Sequence, residues 1–317
     1  MYKDLKILVT GGTGSWGIEL IRQLLTYEPK KIIIYSRNEN SQVELKRVMN
    51  DKRLLFFIGD IRDKDALLAA TTNVDIIFHL AALKHVPICE ENPTESIKTN
   101  IIGTQNVIEA AIENEVKKVL YISTDKAADP VNTYGMTKAL GEKLILHAND
   151  KSEKTKFSCV RGGNVLGSSG SVVPLFKKQI EEIGEVHLTD KRMVRYFIAP
   201  EDAIKTLLKT AQISQGGEIF VMNMRAFRII DLAEILIEQT EKKNVKIVEI
   251  GIRKGEKLEE VLIAEVEKPY ALQLDEELIL ITPEPNTSQL SANLENSNQM
   301  LLTKDEIKLM LLKANLL

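Results

Sequence analysis

The stretch LKILVTGGTGSWGIELIRQLL, residues 5–25, decides how the chain folds. It opens on a short apolar, β-branched run, ends in an amphipathic helical pattern, and sets Gly11, Gly14 and Gly17 at the join. Strand, glycines and helix in that order make a turn suited to a dinucleotide. The glycines permit a tight bend, close approach of backbone to pyrophosphate, and close packing of helix on strand. The free N–H groups of the helix start then face the phosphates. Such spacing alone is weak; its weight comes from lying between a strand and a helix at the head of a βαβ rhythm. Thr10, Gly11, Thr13, Gly14, Ser15, Trp16 and Gly17 are the first candidate cofactor contacts.

That rhythm runs on through the first two thirds of the chain. The short runs LKILVT, KIIIYS, LLFFIG, VDIIFHL, KKVLYIS and KFSCVRG alternate with helical patterns such as TESIKTNIIGTQNVIEAAIEN and TYGMTKALGEKLILHAND. Continuously apolar strands separated by amphipathic helices predict a parallel sheet covered on both faces. We expect an α/β protein with a Rossmann-like, doubly wound parallel sheet and a smaller, mostly helical C-terminal substrate lobe. Residues 1–164 form the dinucleotide-binding domain, with later strands supplied by the C-terminal half; 165–317 form the interleaved substrate lobe. The strand-like GEIFVMN lies between two of that lobe's helices. The polar segment 283–299 reads as a loop. The tail from Thr303 reads as a helix with Thr303 as N-cap and Glu306 three residues on.

Composition narrows the function classes. The 317 residues are 44% apolar and 27% charged, with a formal net charge of −3. That balance disfavours general nucleic-acid binding. No apolar run is long enough to span a bilayer, and the N-terminus lacks a signal-peptide pattern. The expectation is a cytoplasmic protein with no membrane partner. Cys89 and Cys159 have no metal-ligand spacing and read as small buried hydrophobes, so no metal is expected.

The second strand should end at the adenine ribose. An NAD site usually offers an acid there; this chain offers Ser36 and Arg37, which suit a 2′-phosphate. The cofactor read from this is NADP, with NAD as the alternative because Glu39 follows closely. Leu80, Ala81, Ala82 and Lys84 end the fourth strand beside the cofactor, whereas His79 reads as a packed core histidine. Next comes STDKAADPVNTYGMTK, residues 123–138. Tyr134 and Lys138 are four apart on one helix face. A free tyrosine, with pKa near ~10, is a poor base at neutral pH; a nearby ammonium and a cationic nicotinamide favour phenolate. With Ser123 or Thr124 before them, the pair makes a hydride-transfer constellation. Asp125 and Lys126 are then left over.

The spare pair is where a resemblance helps. The chain resembles the extended short-chain dehydrogenases/reductases, and within them the UDP-N-acetylglucosamine 4,6-dehydratases of the configuration-inverting type, from pseudaminic acid and capsule-sugar pathways. The matching motifs are TGGTGSWG, SRNE, FFIGDIRD, AALKHVPICEENPTESIKTNIIGT, STDKAADPVNTYGMTK, GSSGSVVPLFKKQI, LTDKRMVRYF, GGEIFV and GIRKGEKLEE, from residue 10 to about 260. The resemblance implies that Asp60 and Ile61 flank the adenine. It implies a UDP-sugar oxidised at C4, which acidifies the C5 proton, followed by loss of the C6 hydroxyl as water and hydride return to C6. Asp125 is then the acid for the C6 oxygen and Lys126 the C5 base. To act, the Lys126 amine must be uncharged, so burial beside a cationic nicotinamide should depress its pKa. Thr124 orients the substrate hydroxyl, Tyr134 takes its proton, and Lys138 supports Tyr134. Toward the nucleotide, Asn164, Ser171, Val172 and Val173 face the pyrophosphate, Arg195 and Arg253 contact phosphates, and Glu256 takes ribose hydroxyls. Thr189, Lys84 and His85 complete the substrate set.

The chain departs from the family pattern at Gly162 or Gly163, where an aromatic is usual, at Trp16, where Phe is usual, and at Lys254, where Pro is usual. The missing aromatic is expected to widen the sugar pocket. The alternatives are a retaining 4,6-dehydratase, a C5 epimerase or partial-reaction enzyme working through a 5,6-ene sugar, and a catalytically inactive NADP-binding regulator. A homo-oligomer, dimer or larger, is the expected assembly. An Asp125–Lys126 pair turned out into solvent would end the dehydratase reading.

Overall fold

A computed structural model describes residues 1–168, 170–285 and 301–317. The first half alternates as its hydrophobic pattern requires. Its elements are β1 (Lys6–Thr10), α1 (Ser15–Leu25), β2 (Lys31–Ser36), α2 (Glu39–Met49), β3 (Leu54–Ile58), α3 (Lys64–Thr71) and β4 (Ile76–His79). After them come α4 (Val86–Glu91), α5 (Pro93–Ile97), α6 (Gly103–Glu113), β5 (Lys118–Thr124), α7 (Thr133–His147) and β6 (Lys156–Gly162). The segment read as one helix from 94 to 114 is helical almost throughout, with residues Lys98–Ile102 widened to a π turn between α5 and α6.

Beyond β6 the chain carries β7 (Asn164–Val165), α8 (Val172–Ile183), β8 (Glu185–Leu188), β9 (Val194–Ile198) and α9 (Pro200–Ile213). It ends with β10 (Ile219–Met222), β11 (Arg225–Arg228), α10 (Ile229–Glu238), β12 (Lys246–Glu249), β13 (Ala271–Gln273), β14 (Leu278–Ile281) and α11 (Lys304–Lys313). This half is less helical than its sequence suggests. Its strands are two to five residues long, too short for a period to declare itself.

Nine strands form one sheet in the order β13-β14-β10-β6-β5-β4-β1-β2-β3. All neighbours from β10 to β3 are parallel, and β14 and β13 close the sheet antiparallel. β1, β2, β4, β5 and β6 are almost wholly buried, as their continuous apolar runs require; the edge strand β3 is not, leaving Leu55 and Ile58 exposed. The chain reverses direction across the sheet between β1 and β4, so their carboxyl ends diverge and leave a crevice there. Two further sheets, β11-β9-β7 and β12-β8, lie beyond β6 in sequence. Around them α8, α10 and α11 share a second apolar core that includes Phe176, Phe197, Phe227, Leu232 and Leu311.

The tail helix is capped as its sequence predicts. Glu306 N–H donates to Thr303 Oγ1 at 3.4 Å, and Glu306 Oε2 accepts from Thr303 N–H at 2.8 Å. Cys89 and Cys159 are free and buried. Of the polar loop read at 283–299, residues 286–299 lie outside the described residues.

Candidate active site

The crevice is a cleft of about 590 Å³ running from the start of α1, over the ends of β2 and β3, to the start of α7 and the 163–171 segment. Its floor is backbone. Gly11 has φ +69°, and a Cβ there would meet Ala81 N at 2.9 Å; a Cβ on Gly17 would meet the Gly12 backbone at 2.6 Å. Helix α1 starts at Gly14 with no side-chain cap and no acid in its first turn, so its first N–H groups and positive dipole end are left for an anion. The buried Ser123 Oγ on the same cleft has no partner. A dinucleotide fits this set of backbone donors and unpartnered groups.

Of the residues expected to hold a cofactor, Gly11, Thr13, Gly14, Ser15, Trp16, Gly17, Ser36, Arg37, Asp60, Ile61, Leu80, Ala81, Ala82, Lys84, Tyr134 and Lys138 line this cleft. Thr10 does not. It is buried beneath the cleft, its Oγ1 2.7 Å from His79 Nδ1 and accepting from Ala81 N–H at 3.2 Å, so it supports the floor. His79 is the core histidine its sequence suggests: Thr104 Oγ1 lies 3.1 Å from its other nitrogen, and burial drives its pKa down to about 3. Arg37 is over half exposed at the rim, 3.8 Å from the Asp60 carboxylate that Arg62 also holds at 2.6 Å.

At the other end, β5 delivers Thr124, the turn after it delivers Asp125 and Lys126, and α7 delivers Tyr134 and Lys138. Asn132 caps α7 by accepting from Gly135 N–H at 2.8 Å. Thr124 hydrogen-bonds Tyr134, yet burial dominates and pushes the phenol up to about 12 despite the Lys126 charge. Among this chain's own groups burial thus outweighs the ammonium, and the expected phenolate depends on the positive charge of a bound nicotinamide. Lys138 donates to Ile122 O at 2.5 Å and lies 3.8 Å from the centre of the Tyr121 ring. Burial brings its pKa down to about 7, against the pull of Glu142.

Asp125 and Lys126 face inward, not into solvent. Asp125 Oδ1 accepts from Thr124 Oγ1 and from Lys126 Nζ, both at 2.9 Å. Lys126 Nζ also lies 3.6 Å from Glu260 Oε1, with the Lys126, Asp125 and Glu260 side chains 16%, 0% and 4% exposed. Burial lowers the Lys126 pKa, but Asp125 and Glu260 together outweigh it and the net shift is upward. Among this chain's own groups two carboxylates outweigh burial and the Arg195 charge, so the expected depression depends on a cationic nicotinamide beside the amine. Asp125 also differs from expectation in not bordering the cleft. Lys126 covers it, and its buried Oδ2 has no partner.

A second cleft of about 280 Å³ adjoins the first, sharing Lys84, His85, Lys126, Asn164, Gly170 and Ser171. Val172, Thr189, Arg195, Arg253 and Glu256 also line it. Val173 does not: its side chain is buried in the second core, leaving only its backbone at the start of α8. Ser171 Oγ, just before that helix, is buried without a partner. Arg195 is held by the carbonyls of Val194, Leu258 and Lys257 at 2.7–2.9 Å. Arg253 lies 3.9 Å from Glu256. Burial lowers the pKa of both Lys84 and His85. The place of the missing aromatic is not empty. A Cβ on Gly163 would meet Tyr196 Cβ at 3.0 Å, and one on Gly162 would have Met222 and Trp16 as neighbours at 3.3 and 3.5 Å.

The motif reading missed Glu260 and Asn100. Glu260 sits in a polar run that reads as a solvated face, 134 residues from the lysine it reaches. Asn100, in the π turn, accepts from Leu83 N–H at 2.8 Å and donates to Leu83 O at 2.9 Å, clamping the loop that carries Lys84. Among the described residues no group of three or more His, Cys, Asp or Glu could hold a metal, and no helix is long and apolar enough to cross a membrane.

Comparison with known proteins fits this geometry. A protein of Methanocaldococcus jannaschii described as an uncharacterized membrane protein is 48% identical over 290 residues, 89% of this chain and 87% of that one. A UDP-N-acetylglucosamine 4,6-dehydratase (inverting) of Campylobacter jejuni is 49% identical over 268 residues, 83% of this chain and 79% of that one. The X-ray structure of Pen from Bacillus thuringiensis superposes with a TM-score of 0.92 at 38% identity, covering 98% of this chain and 99% of that one. A family model described as polysaccharide biosynthesis protein matches residues 7–282, and the chain belongs to that family.

Proposed function

We propose that this protein is a sugar-nucleotide 4,6-dehydratase that converts UDP-N-acetylglucosamine to a UDP-4-keto-6-deoxy-N-acetylhexosamine with inversion at C5, a hydro-lyase using NADP. The observation that carries the reading is the buried Thr124–Asp125–Lys126 chain at the junction of two clefts. The identity to the Campylobacter dehydratase supports the substrate. Ser36 and Arg37 at the rim support NADP over NAD. The first cleft would hold the dinucleotide through Gly11, Gly14, Gly17, Ser36, Arg37 and Ile61. Bound there, it supplies an acceptor for the C4 hydride and later a donor to C6.

The chain's own groups move the protons. Tyr134, with Thr124 against it, would act as the phenolate, its own proton released to water once a cationic dinucleotide lies in the first cleft, and in that form receives the C4 hydroxyl proton. Once C4 is a ketone, the C5 proton goes to the Lys126 amine and the electron pair forms the C4–C5 enolate. The amine becomes uncharged beforehand by passing its proton 2.9 Å to Asp125, which turns the resting ion pair into a base and an acid. When Lys126 withdraws from Oδ1, Asp125 gives its proton to the C6 oxygen, water leaves, and the enolate pair forms C5=C6. Ser171, Arg195, Arg253 and Glu256 hold the nucleotide in the second cleft. The enzyme works in the cytoplasm as a homo-oligomer.

Incubation with UDP-N-acetylglucosamine tests this: the product is one water lighter, and NMR reads its C5 configuration. An unchanged mass would end the dehydratase reading. Lys126→Ala should abolish water loss and leave UDP-sugar binding within about threefold, because one catalytic proton transfer is worth roughly 10²–10⁴ in rate. Normal turnover in that variant would remove Lys126 from the mechanism.

A further inference from the structure

Lys126 lies between two carboxylates, and the proposed mechanism uses only one. Glu260 follows the segment that carries Arg253 and Glu256, lines the second cleft, and places Oε1 3.6 Å from Lys126 Nζ. Its side chain is as well buried as a core residue's, 4% exposed. A carboxyl group there is costly unless a cation faces it. The charged and titratable groups that act on the pair are Asp125 from the end of β5, Tyr134 from α7, Arg195 from β9, and Lys257 from the 253–260 segment. Lys84 and His85 line the same cleft.

We propose that Glu260 is a positioning residue of this site: it holds the Lys126 ammonium at the moment Asp125 is uncharged. The inference rests on the dehydratase reading and adds a group to it. As the C5–H bond breaks, its proton bonds to Lys126 Nζ and its electron pair enters the enolate. The new ammonium then faces an Asp125 that still carries the proton destined for the C6 oxygen. A buried ammonium with no ionised carboxylate beside it is strongly disfavoured. Glu260 supplies that carboxylate, and by drawing Nζ toward itself leaves Asp125 free to protonate the leaving oxygen. Its charge acts where charge develops during the reaction, so its loss falls on turnover and not on substrate binding.

Glu260→Gln and Glu260→Asp test this together. The expected result for Glu260→Gln is a fall in kcat for water loss of about tenfold to a hundredfold with KM within about threefold. Glu260→Asp should lie between that variant and the unaltered protein. Independently of turnover, ¹⁵N NMR of Lys126 Nζ, assigned with Lys126→Arg, should show the ammonium losing its proton at lower pH in Glu260→Gln, and by less in Glu260→Asp. An unmoved Lys126 titration in either variant overturns the proposal. So does a moved titration with unchanged kcat, or a loss confined to KM. If the unaltered protein releases no water from UDP-N-acetylglucosamine, the dehydratase reading fails and with it the role of Glu260 in turnover, whereas the titration still reports whether Glu260 holds Lys126.

Discussion

Lys138 loses its proton near neutrality because burial outweighs the attraction of Glu142, and that has a consequence for stability. In the unfolded chain a lysine keeps its proton to about 10.4. With the folded value at about 7, the unfolded state binds more protons between the two, so stability rises with pH across that window. Denaturant titrations from pH 7 to 9 should show the unaltered protein gaining up to about 1.4 kcal/mol per pH unit relative to Lys138→Met. Parallel pH profiles for the two would refute the assignment. The fourfold spacing of Tyr134 and Lys138 put them on one helix and was legible in the sequence. Which lysine sheds its proton was not. Lys126 and Lys138 are both buried, but Lys126 meets Asp125 and Glu260 whereas Lys138 meets a carbonyl and the face of Tyr121. Their pKa values move in opposite directions because the two carboxylates outweigh burial at Lys126 whereas Glu142 does not at Lys138.

Between elements, the contact that sets the site is the one between α7 and the turn that carries Lys126. A Cβ on Gly135 would come within overlap distance of the Lys126 carbonyl oxygen, so the helix can approach that turn only with glycine there. The obstacle is backbone and cannot swing aside. Gly135→Ala should lower stability by about 1–3 kcal/mol, the usual cost of overpacking. It should cut turnover more than tenfold, since a displacement of about an ångström at a reacting group costs on the order of a hundredfold. A variant with unchanged melting temperature and kcat would show that the turn tolerates displacement. The sequence announces both elements through the STD strand end and the fourfold spacing of Tyr134 and Lys138, yet it does not announce their contact. YGMTK reads the same whether Gly135 touches a carbonyl or water. The π turn at 98–102 was hidden as well, because its sequence KTNII holds no glycine or proline to mark a change of helix.

Across the whole molecule, the glycine turn and strand rhythm were enough to read the sheet and its cleft. What joins the sheet to the C-terminal half was not legible. Arg161, a charged residue in the strand run KFSCVRG, is fully buried at the end of β6. Its guanidinium donates to Glu142 of α7 at 2.7 and 3.1 Å, to Glu267 at 2.8 and 2.9 Å, and to Leu262 O at 3.0 Å. One side chain thus ties the sheet to the helix bearing Tyr134 and to the segment just past Glu260. Nothing local marks an arginine for such a place, because its partners lie 19 and 106 residues away. Removing only the cation strands Glu142 in the core, so Arg161→Met should destabilise by about 3–5 kcal/mol. Pairing it with Glu142→Leu removes the stranded charge, and the double variant should recover part of that loss, giving a coupling energy of about 0.5–3 kcal/mol in a double-mutant cycle. Strict additivity of the two substitutions in urea unfolding would mean that Arg161 and Glu142 are neighbours without being partners, and that some other contact fixes α7 against β6.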